Sequence, residues 1–264
     1  MIGIFDSGSG GLSVLREILR ILPKEKYVYY SDNANCPYGE KSVEFIRNRA
    51  REITRLLISK GAQIIVVACN TATAAAISVL REEFPVKFIG MEPAVKPAAL
   101  SSKTGVIGVL ATAGTLKASR YLNIKEMFGD GTKIAEHVGE GFVELVENGI
   151  LDGPEAEETV RKSVQPLVAA GADRIVLGCT HYPFLRKVIE RVAGPGVQVI
   201  DTAPAVARHL AEVMKQEGLL DHEYADVPAA AEIELIASGP ELPARRLLDT
   251  IISGHAGRQT ATKS

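Results

Sequence analysis

The chain has 264 residues, which is long for one domain and natural for two small ones. A hydrophobic fraction of 46% is ordinary for a globular protein, and a formal net charge of −2 argues against a nucleic-acid partner, which usually meets a basic surplus. No apolar run approaches the roughly 20 residues of a membrane span, and the strand-like IGIF after Met1 has no signal-peptide features. Three cysteines predict no disulfide framework, so we expect a cytoplasmic protein without a membrane partner.

The beginning of the chain alternates short apolar runs with segments of helical spacing. Leu12, Leu15, Leu19 and Leu22 share one helical face, and Pro23 ends that helix. The predicted elements are, in order, strand 2–6, a Gly-rich turn 7–11, helix 12–22, strand 27–31, a turn-rich loop 33–40, helix 43–60, strand 64–68, helix 72–84 and strand 87–91.

The remainder of the chain continues the alternation. The predicted elements are strand 104–110, turn 111–114, helix 115–128, strand 133–138, helices 141–149 and 154–170, strand 174–177, helix 184–193, strand 197–201, helix 203–217, strand 233–238 and helix 241–252. Residues 254–264 are polar and predict a flexible tail. Strands alternating with helices of this length indicate an α/β fold with parallel sheets covered on both faces.

The two halves resemble each other. IGIFDSGSGGLSVL from residue 2 matches VIGVLATAGTLKAS from residue 106, and IIVVACNTATAA from residue 64 matches RIVLGCTHYPFL from residue 174. Ligands of open α/β sheets bind beyond the carboxyl ends of the strands. The residues at such predicted ends are Asp6, Asp32, Cys69, Thr112 and Cys179.

The repeated unit is an apolar strand that ends at a cysteine, Cys69 or Cys179, before a helix. A single cysteine there is usually a small buried hydrophobe, but packing hardly explains its repetition in both halves. Donors at a helix N-terminus favour a thiolate, His181 can pair with Cys179, and Asp6 can approach Cys69 across the sheet. Two thiols on opposite sides of one carbon could remove a proton from one face and deliver one to the other, without a cofactor. The third cysteine, Cys36, lies in a loop and is interpreted as a bystander or as cleft lining.

Small polar side chains surround the predicted strand ends. With helix N-terminal N–H groups they suit the carboxylates of a small amino acid, and Asp6 suits its ammonium group. A helix cap or a turn is an equally good interpretation of each hydroxyl. Tyr38 and Gly39 either face the cleft or form an ordinary turn after Pro37. The polar set is Ser7, Ser9, Asn70, Thr71, Thr73, Thr112, Thr115 and Thr180.

Five stretches together resemble the glutamate racemases, cofactor-independent two-cysteine enzymes of the aspartate/glutamate racemase superfamily. They are IGIFDSGSGGLSVL, NCPYGEKS, VVACNTATA, LATAGT and LGCTHYPFL. The resemblance implies two similar α/β domains, each a mainly parallel sheet flanked by helices, related by a pseudo-two-fold axis with the active site in the cleft between them. Residues 1–92 and 203–253 would form the first domain and residues 93–202 the second. It further implies a homodimer that interconverts L- and D-glutamate for peptidoglycan synthesis.

The resemblance also implies residue roles. Cys69 would deprotonate the D-enantiomer and Cys179 the L-enantiomer, assisted by Asp6 and His181. Asp32 and Glu147 match acidic positions near the site, although the residues before the Glu147 helix depart from the family pattern. No cofactor and no metal are expected. The substrate-binding set, with the two threonines of the LATAGT turn included, is Asp6, Ser7, Tyr38, Gly39, Asn70, Thr71, Thr112, Thr115, Thr180 and His181.

Three alternatives remain open on sequence. A racemase of another substrate, such as aspartate or a hydantoin, shares the chemistry, although the CNT and CTH triplets together with DSGSGG favour glutamate. A non-catalytic phosphate- or nucleotide-binding module would explain strand–DSGSGG–helix, but the spacing fits neither standard fingerprint. A metal site made of Cys69, Cys179 and His181 would have only three ligands at an unusual spacing.

Overall fold

Two parallel sheets organise the protein, whose computed structural model describes residues 1–91, 93–128, 131–220 and 231–261. All of the strand pairs in these residues are parallel, so the predicted α/β class is confirmed. The first sheet has the order β4-β3-β1-β2-β9 and the second β6-β5-β7-β8. The strands are β1 (Ile2–Asp6), β2 (Lys26–Ser31), β3 (Ile64–Val67), β4 (Lys87–Gly90), β5 (Val106–Ala111), β6 (Lys133–Val138), β7 (Arg174–Gly178), β8 (Gln198–Ile200) and β9 (Glu232–Ala237).

Helices connect the strands and cover the sheets. Among the described residues, none of these helices is both long and apolar enough to cross a membrane. Short 3-10 turns cover Asn33–Asn35, Tyr38–Glu40 and Tyr182–Leu185. The helices are α1 (Leu12–Ile21), α2 (Val43–Ser59), α3 (Asn70–Glu83), α4 (Val95–Ser101), α5 (Ala113–Leu116), α6 (Ser119–Phe128), α7 (Phe142–Glu147), α8 (Pro154–Ala169), α9 (Arg186–Ala193), α10 (Ala203–Gln216) and α11 (Leu242–Ala261).

The internal repeat seen in the sequence is present in the strand order. Read from one edge, β4-β3-β1-β2 of the first sheet corresponds to β8-β7-β5-β6 of the second. Cys69 therefore follows β3 and Cys179 follows β7, which are equivalent strands beside the equivalent central strands β1 and β5. The repeat places each cysteine at the carboxyl edge of its own sheet.

The apolar side chains form three clusters. One lies between the first sheet and helices α2 and α3, and another between the second sheet and helices α4 and α6. The third runs through both halves, because α1 and α10 pack together while α7, α8 and α9 cover the second sheet. Each fully buried Leu or Ile of these clusters stabilises the fold by about 1.5–3 kcal/mol. The continuous third cluster holds the two sheets against each other.

Several predicted boundaries were wrong. Helix α4 was not predicted, and its Pro97 lies in the first helical turn, where proline is tolerated. The single helix predicted over 115–128 is two helices, α5 and α6, that are separated at Lys117. The last helix does not end at Ile252 but continues to Ala261, because its two glycines weaken a helix by only about 1 kcal/mol each. Residues 262–264 of the predicted tail and the segment 221–230 lie outside the described residues.

Candidate active site

Both repeated cysteines are buried where a strand gives way to a helical segment. Cys69 is the N-cap of α3, and the Ala72 N–H donates to its Sγ at 3.4 Å. Cys179 leaves β7 and enters the turn that leads to the 3-10 segment Tyr182–Leu185. The charge of a Cys179 thiolate is felt at Cys69, where it raises the pKa of that thiol. Both sulfurs are thus buried at the carboxyl edges of their sheets.

Cys69 lies in a negative and dry environment. Burial raises the pKa of its thiol strongly, and the carboxylate of Asp6 raises it further. The Ser7 hydroxyl lies 3.7 Å from Sγ. At neutral pH this environment keeps Cys69 protonated, which suits a group that donates a proton.

The Asp6 carboxylate accepts hydrogen bonds from the Gly-rich turn and from the residue that follows Cys179 in the second half. The N–H groups of Gly8 and Gly11 donate to Asp6 Oδ2 at 3.3 and 2.9 Å. The Thr180 hydroxyl, directly after Cys179, donates to Oδ1 at 3.4 Å. Burial raises the pKa of Asp6, and the positive charge of His181 only partly opposes this effect. Asp6 thus interacts with Cys69 and with Thr180, the residue that follows Cys179.

Cys179 has a positive neighbour instead. His181 Nδ1 lies 3.8 Å from Cys179 Sγ, and its Nε2 lies 2.7 Å from Glu147 Oε1 at the end of α7. Burial lowers the pKa of His181, but hydrogen bonds to the neighbouring thiols and to Glu147 outweigh burial and raise it well above its usual value. Burial raises the pKa of Glu147, but His181 and the Ser9 N–H, 2.7 Å from Oε1, lower it overall. The pair is an imidazolium and a carboxylate.

The Gly-rich turn fits closely against this pair. A Cβ on Gly10 would lie 2.3 Å from His181 Nδ1, and one on Gly8 would lie 2.3 Å from a Glu147 carboxylate oxygen. Because its N–H groups already donate to Asp6 and Glu147, the turn does not offer a free phosphate cradle. The phosphate- or nucleotide-binding interpretation is therefore not favoured.

Hydroxyl groups from both halves meet at the other side of the site. Thr71 Oγ1 lies 3.0 Å from Thr112 Oγ1 and 3.3 Å from Thr115 Oγ1. Gly39 approaches Thr112, and a Cβ on it would lie 3.1 Å from the Thr112 Cβ. A cavity of about 470 Å³ opens beside them, and its lining includes Gly39, Thr71 and Gly114. The structure thus brings Gly39 and these three threonines together.

Asn70 stands out among the predicted polar residues. Its side chain is 4% exposed, and neither its amide nitrogen nor its amide oxygen has a hydrogen-bond partner among the described residues. An unpaired buried amide costs about 1–3 kcal/mol. Asn70 is also the first residue of α3, directly after Cys69, so the orphaned amide lies beside a thiol and the N-terminus of a helix. A buried, unpaired amide beside a thiol and a helix N-terminus is typical of a side chain that binds a ligand.

Other predicted residues serve the framework. The Tyr38 hydroxyl donates to Asp32 Oδ2 at 2.5 Å. Arg49, which sequence reasoning missed, donates to both oxygens of Asp32 at 2.8 and 3.0 Å. The Thr73 hydroxyl donates to the Val67 carbonyl of β3, so this side chain belongs to the framework and not to the site. Only the folded chain reveals Arg49, since it lies within the ordinary charged face of α2.

Cys36 lines the site. Burial raises the pKa of its thiol, and hydrogen bonding to His181 opposes the rise. Its sulfur lies near the Glu147 carboxylate, since both crowd the position that a Cβ on Gly8 would take. Of the two interpretations open on sequence, the structure therefore selects cleft lining.

Comparisons with known proteins show what the chain as a whole is similar to. A family model for Asp/Glu/Hydantoin racemase matches residues 2–210. The glutamate racemase of Methylococcus capsulatus is 48% identical over 254 residues, covering 96% of this chain and 92% of that protein. A glutamate racemase isoform of Bacillus anthracis superposes with a TM-score of 0.84 at 31% identity, over 96% of this chain and 94% of that one. Escherichia coli glutamate racemase, in complex with L-glutamate and the activator UDP-MurNAc-Ala, gives 0.81 at 32% identity, over 96% and 93%.

Proposed function

The chain belongs to the Asp/Glu/Hydantoin racemase family, and on that premise we propose that it interconverts L- and D-glutamate with Cys69 and Cys179 as its acid–base groups. The product D-glutamate supplies peptidoglycan synthesis, the known role of the family. The observation that carries the assignment is the pair of buried thiols at equivalent strand ends, each with a different charged neighbour. Packing of the core alone would require neither a thiol at each strand end nor a different charged neighbour for each thiol.

The proton transfer needs both thiols in opposite states. One sulfur, as a thiolate, takes the α-proton from one face of glutamate, and the other, as a thiol, gives its proton to the opposite face. The configuration inverts, nothing is oxidised or reduced, and the two cysteines exchange protonation states. Cys69 would act as base on D-glutamate and Cys179 on L-glutamate.

The neighbours of each sulfur support this division. The His181 imidazolium lies 3.8 Å from Cys179, where it offsets the negative charge that remains when this thiol has lost its proton. Asp6 beside Cys69 disfavours a second negative charge there, which keeps the proton on Cys69 available for donation. The Glu147 carboxylate holds the imidazole ring in place through Nε2.

The polar side chains supply the proposed substrate contacts. The Asn70 amide suits a substrate carboxylate, because it lies at the N-terminus of α3 and its N–H donors have no partner among the described residues. Asp6, Ser7 and Thr180 surround the thiols and suit the ammonium group and the first carboxylate. Gly39, Thr71, Thr112 and Thr115 form the opposite wall, where a second carboxylate would fit.

Isotope exchange tests both the substrate and the thiols. In D₂O, the wild-type protein should exchange the α-proton of L- and D-glutamate and leave aspartate unchanged. Cys69→Ala and Cys179→Ala should each lose racemisation by at least roughly 100-fold, because each removes a required acid–base group. Cys36→Ala, which removes the third cysteine, is the matched control and should lose far less activity than either, because the proposed proton transfer does not use Cys36. Normal turnover by Cys179→Ala would contradict the assignment, and exchange on aspartate alone would change the substrate.

The proposal includes the arrangement of domains. Residues 1–92 with 203–253 form the first domain and residues 93–202 the second, and the cleft between them holds the substrate. Support comes from β9, which pairs with β2 at the edge of the first sheet, and from α10, which packs against α1. Limited proteolysis should cleave first near residues 92 and 202 if these are the boundaries.

A homodimer in the cytoplasm completes the proposal. Exposed apolar side chains, Leu100 of α4 and Leu122 and Met127 of α6, support a self-associating face because these helices pack together. Light scattering on the purified protein should give twice the mass of the chain. A monomer at micromolar concentration would contradict this part of the proposal alone.

A further inference from the structure

Cys36 completes a second chemical grouping on the rim of the proposed active site. The donor atoms of Cys36, Glu147 and His181 all lie within 4.8 Å of one another. Cys36 and Glu147 are half-buried and His181 is buried. The proton transfer proposed above makes no use of Cys36.

These three donors are of the types that zinc prefers. Zn²⁺ binds thiolate sulfur at about 2.3 Å and imidazole nitrogen or carboxylate oxygen at about 2.0–2.2 Å, usually with four ligands. Three protein ligands leave one position for water. By contrast, the set Cys69, Cys179 and His181, considered on sequence, does not form such a group among the described residues.

We propose that Cys36, Glu147 and His181 form a binding site for a thiophilic divalent cation such as Zn²⁺, and that occupation of this site inhibits the enzyme. The inhibitory part rests on the proposed function, in which His181 supports Cys179. The binding part depends only on the three ligands.

The geometry requires only small movements. His181 Nε2 and Glu147 Oε1 are 2.7 Å apart across a shared proton, and as two ligands of a tetrahedral ion they would stand about 3.3 Å apart. The ion takes the place of that proton and of the Cys36 thiol proton, so two protons leave as one divalent cation enters. The total charge of the group stays the same, which removes the electrostatic penalty of placing an isolated cation in a largely buried site.

Inhibition follows from what the ion does to His181. A metal on Nε2 would tie the imidazole ring to Cys36 and Glu147. The ring, whose Nδ1 lies 3.8 Å from Cys179 Sγ, could then no longer adjust to that sulfur during the reaction. Racemisation needs both thiols in every turnover, so both directions slow together.

The test combines a spectroscopic probe with activity. Co²⁺ added to the wild-type protein should give a thiolate-to-cobalt charge-transfer band at one ion per chain, and Zn²⁺ should abolish the band and inhibit glutamate racemisation reversibly with EDTA. Cys36→Ala should lose the band. Compared with its own metal-free rate, it should need more than roughly 100-fold higher Zn²⁺ for inhibition than the wild-type protein, because a direct ligand is gone. Cys179→Ser should keep the band.

The outcomes separate the two proposals. A band that survives in Cys36→Ala or disappears in Cys179→Ser would overturn the metal site, because another thiol would be the ligand. Cys36→Ser serves in place of Cys36→Ala if the alanine variant does not fold. A cobalt band in a protein that never exchanges the glutamate α-proton would leave the metal site standing and refute the proposed function instead.

Discussion

At the scale of single residues, the two proposed acid–base groups are chemically unequal. Cys69 has a carboxylate for a neighbour, and burial together with that charge raises the pKa of its thiol. Cys179 has the imidazolium of His181, itself held by Glu147. L- and D-glutamate have the same free energy, so kcat/KM must be equal in both directions. The chemical difference between the two thiols must therefore appear as different kcat and KM values for the two enantiomers, or as exchange of the α-proton without inversion of the configuration.

Asp6→Asn tests the electrostatic part of this difference. The substitution removes a negative charge that raises the pKa of Cys69, so that pKa should fall. Since Cys69 must be a thiolate to act on D-glutamate, kcat for this enantiomer should rise with pH, and in Asp6→Asn the rise should begin at lower pH. The pH profile of kcat measures the shift. An unchanged profile would mean that Asp6 acts on substrate binding rather than on Cys69.

Asn70→Leu tests whether the orphaned amide binds substrate. Because the amide has no partner in the described part of the chain, the substitution removes no hydrogen bond, and the ligand-free protein should lose less than about 1 kcal/mol of stability. The KM for glutamate should rise at least roughly tenfold, since one hydrogen bond to a charged ligand contributes about 1.5–3 kcal/mol. Steady-state kinetics and thermal unfolding measure the two effects.

Thr54→Val is the matched control for Asn70→Leu. Thr54 on α2 is also fully buried, and its hydroxyl has no hydrogen-bond partner among the described residues, yet it is not one of the predicted site residues. It should leave both KM and stability nearly unchanged. If Asn70→Leu behaves in the same way, the amide is an unpaired group without a role in binding.

At the scale of elements, the turn between β1 and α1 determines how closely the two halves approach. It supplies N–H donors to Asp6 and to Glu147, and its glycines leave room for the His181 ring. The loop after β2 is held differently, by the pair of Arg49 and Asp32. That loop carries Cys36, so the same salt bridge positions the proposed metal ligand. Backbone placement in these two loops therefore determines the side-chain geometry of the site.

Gly10→Ala tests the close approach of the turn. Its Cβ would lie 2.3 Å from His181 Nδ1, so either the ring or the turn must move. A displacement of about 1 Å in a reacting group can cost roughly 100-fold in rate, and we expect kcat to fall by that order. Gly196→Ala is the control, because a Cβ there has nothing within 4 Å and its φ is not in the left-handed region. Equal activity of both variants would contradict the packing argument.

At the scale of the whole molecule, polar contacts and one continuous core join the halves. The Ser13 hydroxyl on α1 donates to the Thr180 carbonyl at 2.8 Å, next to Cys179. Thr71 and Thr112 meet on the other side of the site. The apolar cluster that includes α1, α7 and α10 extends through both sheets. We expect the two halves to unfold in one cooperative transition, because neither can expose this cluster without the other.

Ser13→Ala measures one of these contacts. It leaves the buried Thr180 carbonyl without its donor, so the free energy of unfolding should fall by about 1–3 kcal/mol. Activity should fall as well, because Thr180 follows Cys179 directly and its hydroxyl donates to Asp6, whose carboxylate acts on Cys69. Ser59→Ala is the control, since the exposed Ser59 hydroxyl bonds only to its own helix, and chemical denaturation should show no comparable loss. Comparable losses in the two variants would mean that the contact between the halves contributes nothing of its own.

The sequence by itself determined the α/β class, the internal repeat and the two cysteines, because periodicity, glycine placement and a repeated strand–Cys–helix unit are local patterns. It missed α4, which contains a proline, and it missed the Arg49–Asp32 pair and the contact of Cys36 with His181 and Glu147, which join different segments of the chain. Asn70 illustrates the boundary between what the sequence shows and what only the tertiary structure shows. Its position after Cys69 is readable in the sequence, but only tertiary structure shows that its amide has no partner within the described residues. Hydrogen-bond satisfaction and burial are properties of contacts between segments far apart in the chain, and only folding determines them.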